Sequence, residues 1–521
     1  MSQGANQFHN ALCSAGLLLL ISSSFALSGK LAIQKIKPSA NPPHYVAFSR
    51  RLPPDKQFQH ALDRLTFGPR PGDLEHVRAL GLKTWLDLQL HPDQLTENPT
   101  LQERLAPLAS VQMSVSQTVS VRPLSVIAGD LSEVKLIRAI YSNHQLLELL
   151  DDFWFNHFNV FFGKGVDRFT LPAYERDAIR RHVLGKFYDL LLATAESPTM
   201  LFYLDNWQSA GPGFAARHPN QKNRRGLNEN YGRELLELHT LGVNGGYTQK
   251  DVIEVARCFT GWTITAPRQG GAFQYNDKMH DKGKKIVLGH VIPPGGGMGD
   301  GIEVLNILAH HPSTAHFISL KLAQCFVADD PPPSLVNRMT QTFLKTGGDL
   351  GAVMQTMFSS GEFWSEGAYR AKIKTPFEMV VSAVRAANAN VTSASLLSDE
   401  LQKLGEPLYR KIEPTGYSLQ NADWVSSAGL LERMNYAVAL AHNRIPGVQV
   451  DIANWQALPQ PDPMNLAHSL LQQDPTAQTQ AAIEKALASM DPRSQVAQNP
   501  PNAVPSLIAG LTLGSPEFQR R

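Results

Sequence analysis

The densest chemistry in the chain lies in one stretch, Asn228-Glu229-Asn230-Tyr231-Gly232-Arg233-Glu234-Leu235-Leu236-Glu237-Leu238-His239-Thr240-Leu241-Gly242. Read as a helix at roughly 100° per residue, it places Asn230, Glu234, Glu237 and Leu241 on one face and Arg233 beside Glu237. His239 turns to the opposite side with Leu235. Leucines at 235, 236, 238 and 241 leave no wide solvated arc, so the helix is expected to be buried on most sides. A buried charge without a partner costs several kcal/mol, so Arg233, Glu234, Glu237 and His239 should each have a fixed neighbour. Two such carboxylates three residues apart could grip a metal ion or act as acid and base. Asn230, Arg233, Glu234, Glu237 and His239 are therefore candidate catalytic residues. The same side chains would serve equally as an Arg–Glu network inside a helical core.

A second polar group sits among aromatics in Asp151-Asp152-Phe153-Trp154-Phe155-Asn156-His157-Phe158-Asn159-Val160-Phe161-Phe162. Helical spacing puts Asp152, Asn156 and Asn159 on one face, and His157 on another with Phe153 and Val160. A lone histidine in such a setting is more often a hydrogen-bonded core residue than a ligand. Further along, His280-Asp281 and His290 fall in a glycine-rich segment, where they are candidate lid or ligand residues or simply exposed loop polars. His157, Glu234, Glu237, His280 and Asp281 are the candidate ligands of a divalent metal, provided they converge on one cavity. His239 cannot readily join Glu234 and Glu237 on a single ion, because it faces the other way. Gly295 to Gly301 precedes a helix whose amides could receive an anion. It lacks the Lys-Ser/Thr of a phosphate-binding loop. No nucleophile elbow, His-Glu-x-x-His or zinc-spaced Cys/His set occurs.

These residues must be carried mainly by helices. From Asp73 to Leu204 apolar residues recur at three and four, as in Leu136, Ile140, Leu146, Leu147 and Leu150. Asp73 reads as a helix cap, Asp177 and Arg181 as an i,i+4 pair on a solvated face, and Thr248 with Asp251 as a capping pair. Residues 266–300 break the pattern with eight glycines and two β-like runs, Gly271–Tyr275 and Lys285–Leu288, which suggests a long loop or small hairpin. The fold expected is mainly α: a large multi-helix body with a Gly-rich loop or β-hairpin insertion. Its divisions are a Pro-rich linker over 27–56, a helical half over 57–265, the insertion over 266–301, a second half over 302–455, and a Pro/Gln-rich tail over 456–521. Within the tail, Met464–Gln472 and Gln478–Met490 read as helices. Ser360-Gly361-Glu362-Phe363 and Ser515-Pro516-Glu517-Phe518 echo each other as helix-end punctuation.

Composition narrows the function. The 521 residues are 43% hydrophobic and only 18% charged, enough for a sizeable core. With 48 basic against 46 acidic residues, and a net charge of +2, there is no electrostatic footprint for nucleic acid. Residues 1–29 hold no Lys, Arg, Asp or Glu. The apolar run Ala15–Ile21 followed by Ser24-Phe25-Ala26 fits a signal peptide over 1–26, although a positive n-region is missing. The run is too short for a stable transmembrane anchor. An exported protein, periplasmic, envelope-bound or secreted, is expected. Cys258 and Cys325 read as buried thiols or one bridge, not a disulfide scaffold.

Several of these motifs, in this order, resemble the bacterial family known as domain of unknown function 1800. They are Arg64-Leu65-Thr66-Phe67-Gly68-Pro69, Phe153 to Phe158, Asn228 to Tyr247, Thr260-Gly261-Trp262, His280-Asp281 and Gly514-Ser515-Pro516-Glu517-Phe518. The resemblance runs from about Phe58 to the end of the sequence. It implies a bacterial, commonly exported protein and supplies no reaction. It also implies a partner, an exported sulfatase-like protein of the family called domain of unknown function 1501. The family's motif residues fall on Asn156, His157, Asn230, Arg233, Glu234, Glu237, His239, His280 and Asp281. Two functions follow as expectations. One is a metal-dependent hydrolase with a buried carboxylate/His centre. The other is a non-catalytic binding or assembly protein for an exported partner or a cell-surface polymer.

Overall fold

Several helices begin behind a capping side chain, and most bury an apolar stripe. The computed structural model describes residues 43–217, 226–456, 462–489 and 503–521; the expected signal segment 1–26 lies outside them. One body runs from His44 to Arg521. It is mainly helical, and its sheets are small antiparallel pairs. No helix among the described residues is long and apolar enough to cross a membrane.

The helices that matter for the site are α1 (Pro54–Leu65), α2 (Ser125–Tyr141), α3 (Gln145–His157), α4 (Asn230–Glu234), α5 (Gln249–Cys258), α6 (Pro312–Phe326), α7 (Pro376–Ala386), α8 (Ser427–Ala441) and α9 (Ala503–Leu513). Their starts follow from local chemistry. Thr248 and Asp251 close a capping box on α5, as their spacing predicts. Thr375 and Glu378 do the same for α7, with Pro376 at its first position, where a missing N–H costs nothing. Leu136, Ile140, Leu146 and Leu150 are all buried, so the helical period marked the core face of α2 and α3. Trp154, Phe158 and Phe187 pack as rings about 6 Å apart at the centre of that core. Asp177 pairs with Arg181 at 2.9 Å on a solvated face.

In three places the structure differs from the expected layout. Residues 43–49 of the expected linker form a 3₁₀ turn, and Leu52 N donates to Trp364 O at 2.9 Å, tying this segment to the body. The glycine-rich insertion is two hairpins. The β-like runs pair with neighbours other than each other: Trp262–Ile264 (β1) with Phe273–Tyr275 (β2), and Lys285–Val287 (β3) with His290–Ile292 (β4). The Pro/Gln-rich tail carries helices Met464–Leu471 and Ala477–Ala488 close to the expected bounds. Its last helix, α9, is part of the core, with Ile508, Ala509 and Leu513 buried against α8 and Met464–Leu471. The two echoing tetrapeptides make the same turn: Ser360 and Ser515 each accept, through Oγ, the amide of the phenylalanine three residues on, at 3.2 Å.

Candidate functional site

The motif 228–242 does not continue as one α-helix. After α4 the chain widens into a π-helix over Leu235–Thr240, where Leu241 N donates to Leu236 O at 2.9 Å and Thr240 Oγ1 to Leu235 O at 2.6 Å. The wider turn redistributes the faces drawn at α-helical pitch. Arg233 pairs with Glu229 at 3.6 Å and donates to Gln249 at 2.9 Å, in place of the expected partner Glu237. Glu237 instead accepts from the Tyr247 hydroxyl at 3.0 Å. Tyr231, Leu235, Leu236, His239, Thr240 and Leu241 are buried, as expected of a helix enclosed on most sides, but Arg233, Glu234 and Glu237 are only half-buried and Asn230 is exposed. Burial, with Glu237 adding to it, raises Glu234 above the ordinary carboxylate range, and Arg233 opposes the shift. Gly232 is where α4 crosses α5: a Cβ there would sit 3.0 Å from Val252 O and 3.1 Å from Ala256 N, so glycine lets the two backbones come this close.

The remaining expected ligands fall into separate surroundings. His280 is buried, with Nδ1 2.8 Å from Thr260 O and Nε2 3.0 Å from Asp300 Oδ2, and Lys285 also pairs with Asp300. This triad ties the hairpin β3–β4 to the helix Gly299–Ala309. Asp300 fills the space beside Gly296, at the helix start whose amides could have received an anion. Asp281 is clasped by Arg257 at 2.8 and 3.2 Å. Burial would raise its carboxyl, but Arg257 and the Gly283 amide hold it below the ordinary value. His290 is exposed. His157 and His239, from two different motifs, do come together: His157 Nε2 lies 3.1 Å from the His239 carbonyl. Among the described residues no three His, Cys, Asp or Glu side chains gather as a metal-ligand set. Cys258 and Cys325 are free thiols.

Convergence occurs elsewhere, at a cavity of about 70 Å³ lined from α2, α3, the first turn of α7 and the loop 404–424. Asp152, Asn156 and Asn159, the polar face of the aromatic segment, all line it. That face pins the loop through backbone groups. Asn156 Nδ2 donates to Tyr417 O at 2.8 Å, and Tyr417 N donates back to Asn156 Oδ1 at 2.6 Å. Asn159 Nδ2 donates to the carbonyls of Lys411 and Glu413 at 3.1 and 2.8 Å. Between them Gly416 takes φ 70°, and a Cβ there would lie 2.2 Å from Asn156 O. Both demands require glycine. Tyr417 and Trp424, partly exposed with rings 6.1 Å apart, stand on the loop side.

Charged groups line the same cavity. Lys135 of α2 reaches Asp152 at 3.1 Å and Glu175 at 3.2 Å, with its ammonium 5.1 Å from the Phe155 ring centre and 5.5 Å from that of Tyr409. The Tyr409 hydroxyl donates to Glu175 at 2.6 Å. Arg521 pairs with Glu378 at 2.6 Å, and Lys372 bonds Asp329 and the Leu419 carbonyl. Glu406 accepts the Phe377 amide at 2.7 Å from the first turn of α7. A helix N-terminus favours the ionised carboxylate. Yet burial, reinforced by Asp152, pushes Glu406 up to about 8 against the Phe377 and Thr375 hydrogen bonds. Glu406 is only 6% exposed, so desolvation wins. Burial also raises Asp152, with Lys135 opposing, but 33% of its side chain stays open. The cavity thus holds two carboxyl groups in unequal surroundings, one almost wholly desolvated and one part-open beside an ammonium.

Of these lining residues, the sequence reading singled out Asp152, Asn156 and Asn159. Lys135, Glu378, Glu406, Tyr409, Tyr417 and Arg521 escaped it, since they lie far apart in the chain and meet only through tertiary packing. Two signals were available. Lys135 interrupts the apolar run Val134 to Ile137, and Thr375-Pro376-Phe377-Glu378 is a capping box that aims backbone amides at whatever lies before it. Neither a curated protein nor a solved structure matches the chain. The family model described as Protein of unknown function (DUF1800) matches residues 60–520, and the chain belongs to that family.

Proposed function

We propose that the chain is an acid–base hydrolase working in the cavity between α3, α7 and the loop 404–424. Glu406 is its proton donor and Asp152 its carboxylate base. The observation that supports this reading is the pairing in one cavity of two carboxyl groups in unequal surroundings: Glu406 buried and raised to about 8, Asp152 part-exposed and held by Lys135. One group that keeps its proton near neutrality and one that gives it up are what hydrolysis needs for a leaving group and an attacking water. Tyr417 and Trp424 offer flat apolar surfaces to a substrate at the loop side. Export, and a sulfatase-like partner of the family called domain of unknown function 1501, belong to the proposal through family resemblance alone.

The metal-dependent form of the reading, with His157, Glu234, Glu237, His280 and Asp281 as ligands, has less behind it. Those side chains occupy separate environments, and most already have protein partners. A binding or assembly role is favoured by a different observation: Lys135 and Arg521 are each closed by carboxylates, as in a structural network.

The test is an assay of the full chain against p-nitrophenyl esters, phosphates and glycosides, with circular dichroism to confirm folding. Turnover should fall about 100-fold or more in Glu406→Gln and in Asp152→Asn, and stay within about twofold in Glu234→Gln. Infrared titration of wild type against Glu406→Gln reads the acid directly. A carboxylic-acid stretch persisting towards pH 8 supports the donor. One that vanishes by about pH 5 removes Glu406 from that role.

A further inference from the structure

Away from the cavity chemistry, α6 carries a lysine in unusual company. Lys321 is partly buried, and its ammonium nitrogen lies 3.1 Å from His157 Nδ1. No carboxylate among the described residues lies within ion-pair distance of it. The hydrogen bonds fix the histidine tautomer. His157 Nε2 faces the His239 carbonyl, so it carries the proton, and Nδ1 is left as an acceptor for Lys321. His157 therefore brings no charge to compensate the lysine. His239 is 1% exposed, and its Nε2 has no hydrogen-bond partner among the described residues. Phe317, one turn before Lys321 on α6, places its ring 5.5 Å from the ammonium, and Phe153 stacks on His157 with rings 6.4 Å apart.

A partly buried cation with no carboxylate partner, set against two uncharged imidazoles, is poorly solvated, and the Phe317 ring offsets only part of that cost. The ammonium relieves the cost by releasing its proton. Burial lowers Lys321 to about 8, and lowers His157 well below its ordinary value and His239 to about 3. Lysines arranged this way are nucleophiles. The unprotonated Nδ1, 3.1 Å from the amine, gives the proton that nitrogen loses a hydrogen-bonded route to the carbonyl oxygen.

We propose that Lys321 is a reactive amine that condenses with a small carbonyl compound, an aldehyde or α-keto acid, assisted by His157. The amine nitrogen adds to the carbonyl carbon, and its proton passes through His157 Nδ1 to the carbonyl oxygen, giving a carbinolamine. A second nitrogen proton follows to the departing hydroxyl. The C–O bond breaks, C=N forms, and one water leaves.

The test uses the full wild-type chain with glyoxylate and cyanoborohydride at pH 7.5, followed by peptide mapping. An ordinary lysine holds well under about 1% free base at that pH, whereas one at about 8 holds roughly a quarter. The adduct at Lys321 should therefore form about tenfold or more faster than at any lysine of ordinary pKa, with a rate that levels off above about pH 8. His157→Gln should slow it while far-ultraviolet dichroism is unchanged. Labelling scattered over exposed lysines, preference for Lys374, which is lowered to about 7 but more fully buried, or a Lys321 rate still climbing at about pH 10 would each overturn the proposal. Because the first measurement needs no variant, a folding defect in a substituted chain leaves it decisive. Its outcome does not depend on the role given to Glu406.

Discussion

Two regions of this molecule bring carboxylates close together, and they differ in what surrounds them. In the motif 228–242 the charges are neighbours in sequence, yet they end on a half-buried π-helical face where Tyr247, Gln249 and Glu229 satisfy part of the set. Around the cavity the charges come from α2, α3, α7 and the loop 404–424, and several are almost wholly desolvated. Charge density along a chain measures neither burial nor convergence. Water screens the first group and does not reach most of the second, so the same carboxylate chemistry has small consequences in one place and large ones in the other.

The largest expected effect is at Lys135. Its ammonium bridges Asp152 and Glu175 at 3.1 and 3.2 Å and is 8% exposed. Lys135→Met leaves two carboxylates facing each other without a cation and should cost about 3–5 kcal/mol, read from the urea midpoint. A loss below about 1 kcal/mol would place Lys135 in a solvated pair like those of the motif helix.

Next comes the pH dependence set by Glu406. Its folded pKa is raised to about 8, above that of the unfolded chain, so the folded state binds more protons between the two values. The stability it contributes is fully present at acid pH and is lost as pH rises through about 8. Glu406→Gln, which is neutral throughout, should flatten that decline and be more stable than wild type at about pH 9. Stability curves of wild type and variant that run parallel from about pH 5 to 9 would contradict the assignment. A smaller effect belongs to Asn156, whose amide brackets Tyr417 through two backbone hydrogen bonds at 2.8 and 2.6 Å. Asn156→Ala should cost about 2 kcal/mol and raise hydrogen exchange at the Tyr417 amide. Unchanged exchange there would mean that the loop is held without it.

The same contrast explains what the sequence made legible. The helical class, the α5 and tail helices, the Asp177–Arg181 pair and the common face of Asp152, Asn156 and Asn159 rest on spacings within about ten residues, where α-helical pitch is a sound ruler. The ruler failed at Leu235, because a π-helix is selected by packing of the whole turn and leaves no pattern in side-chain type. It could not predict that Glu406 would meet the first turn of α7, or that Lys321 would meet His157 across 164 residues. Strand partners were missed for a related reason. The runs at 273–275 and 285–287 read as strands, but three-residue strands carry too few side chains to specify register.

The smallest effect is the one most able to break the comparison. Glu234 is half-buried, raised by burial and by Glu237, and water reaches part of it. Glu234→Gln keeps the shape and removes a like-charge repulsion, while any hydrogen bond to solvent persists. The net change in stability should therefore stay within about 0.5 kcal/mol. Turnover of any substrate found for the cavity should be unchanged, since the structure gives Glu234 no place in its wall. If Glu234→Gln instead lost about 2 kcal/mol, or abolished activity in a folded protein, the π-helical face would be performing the costly electrostatics assigned here to the cavity. The chemical weight would then return to the motif 228–242. If Lys135→Met is severe and Glu234→Gln silent, the difference between the two regions is one of desolvation, because the group types are otherwise the same.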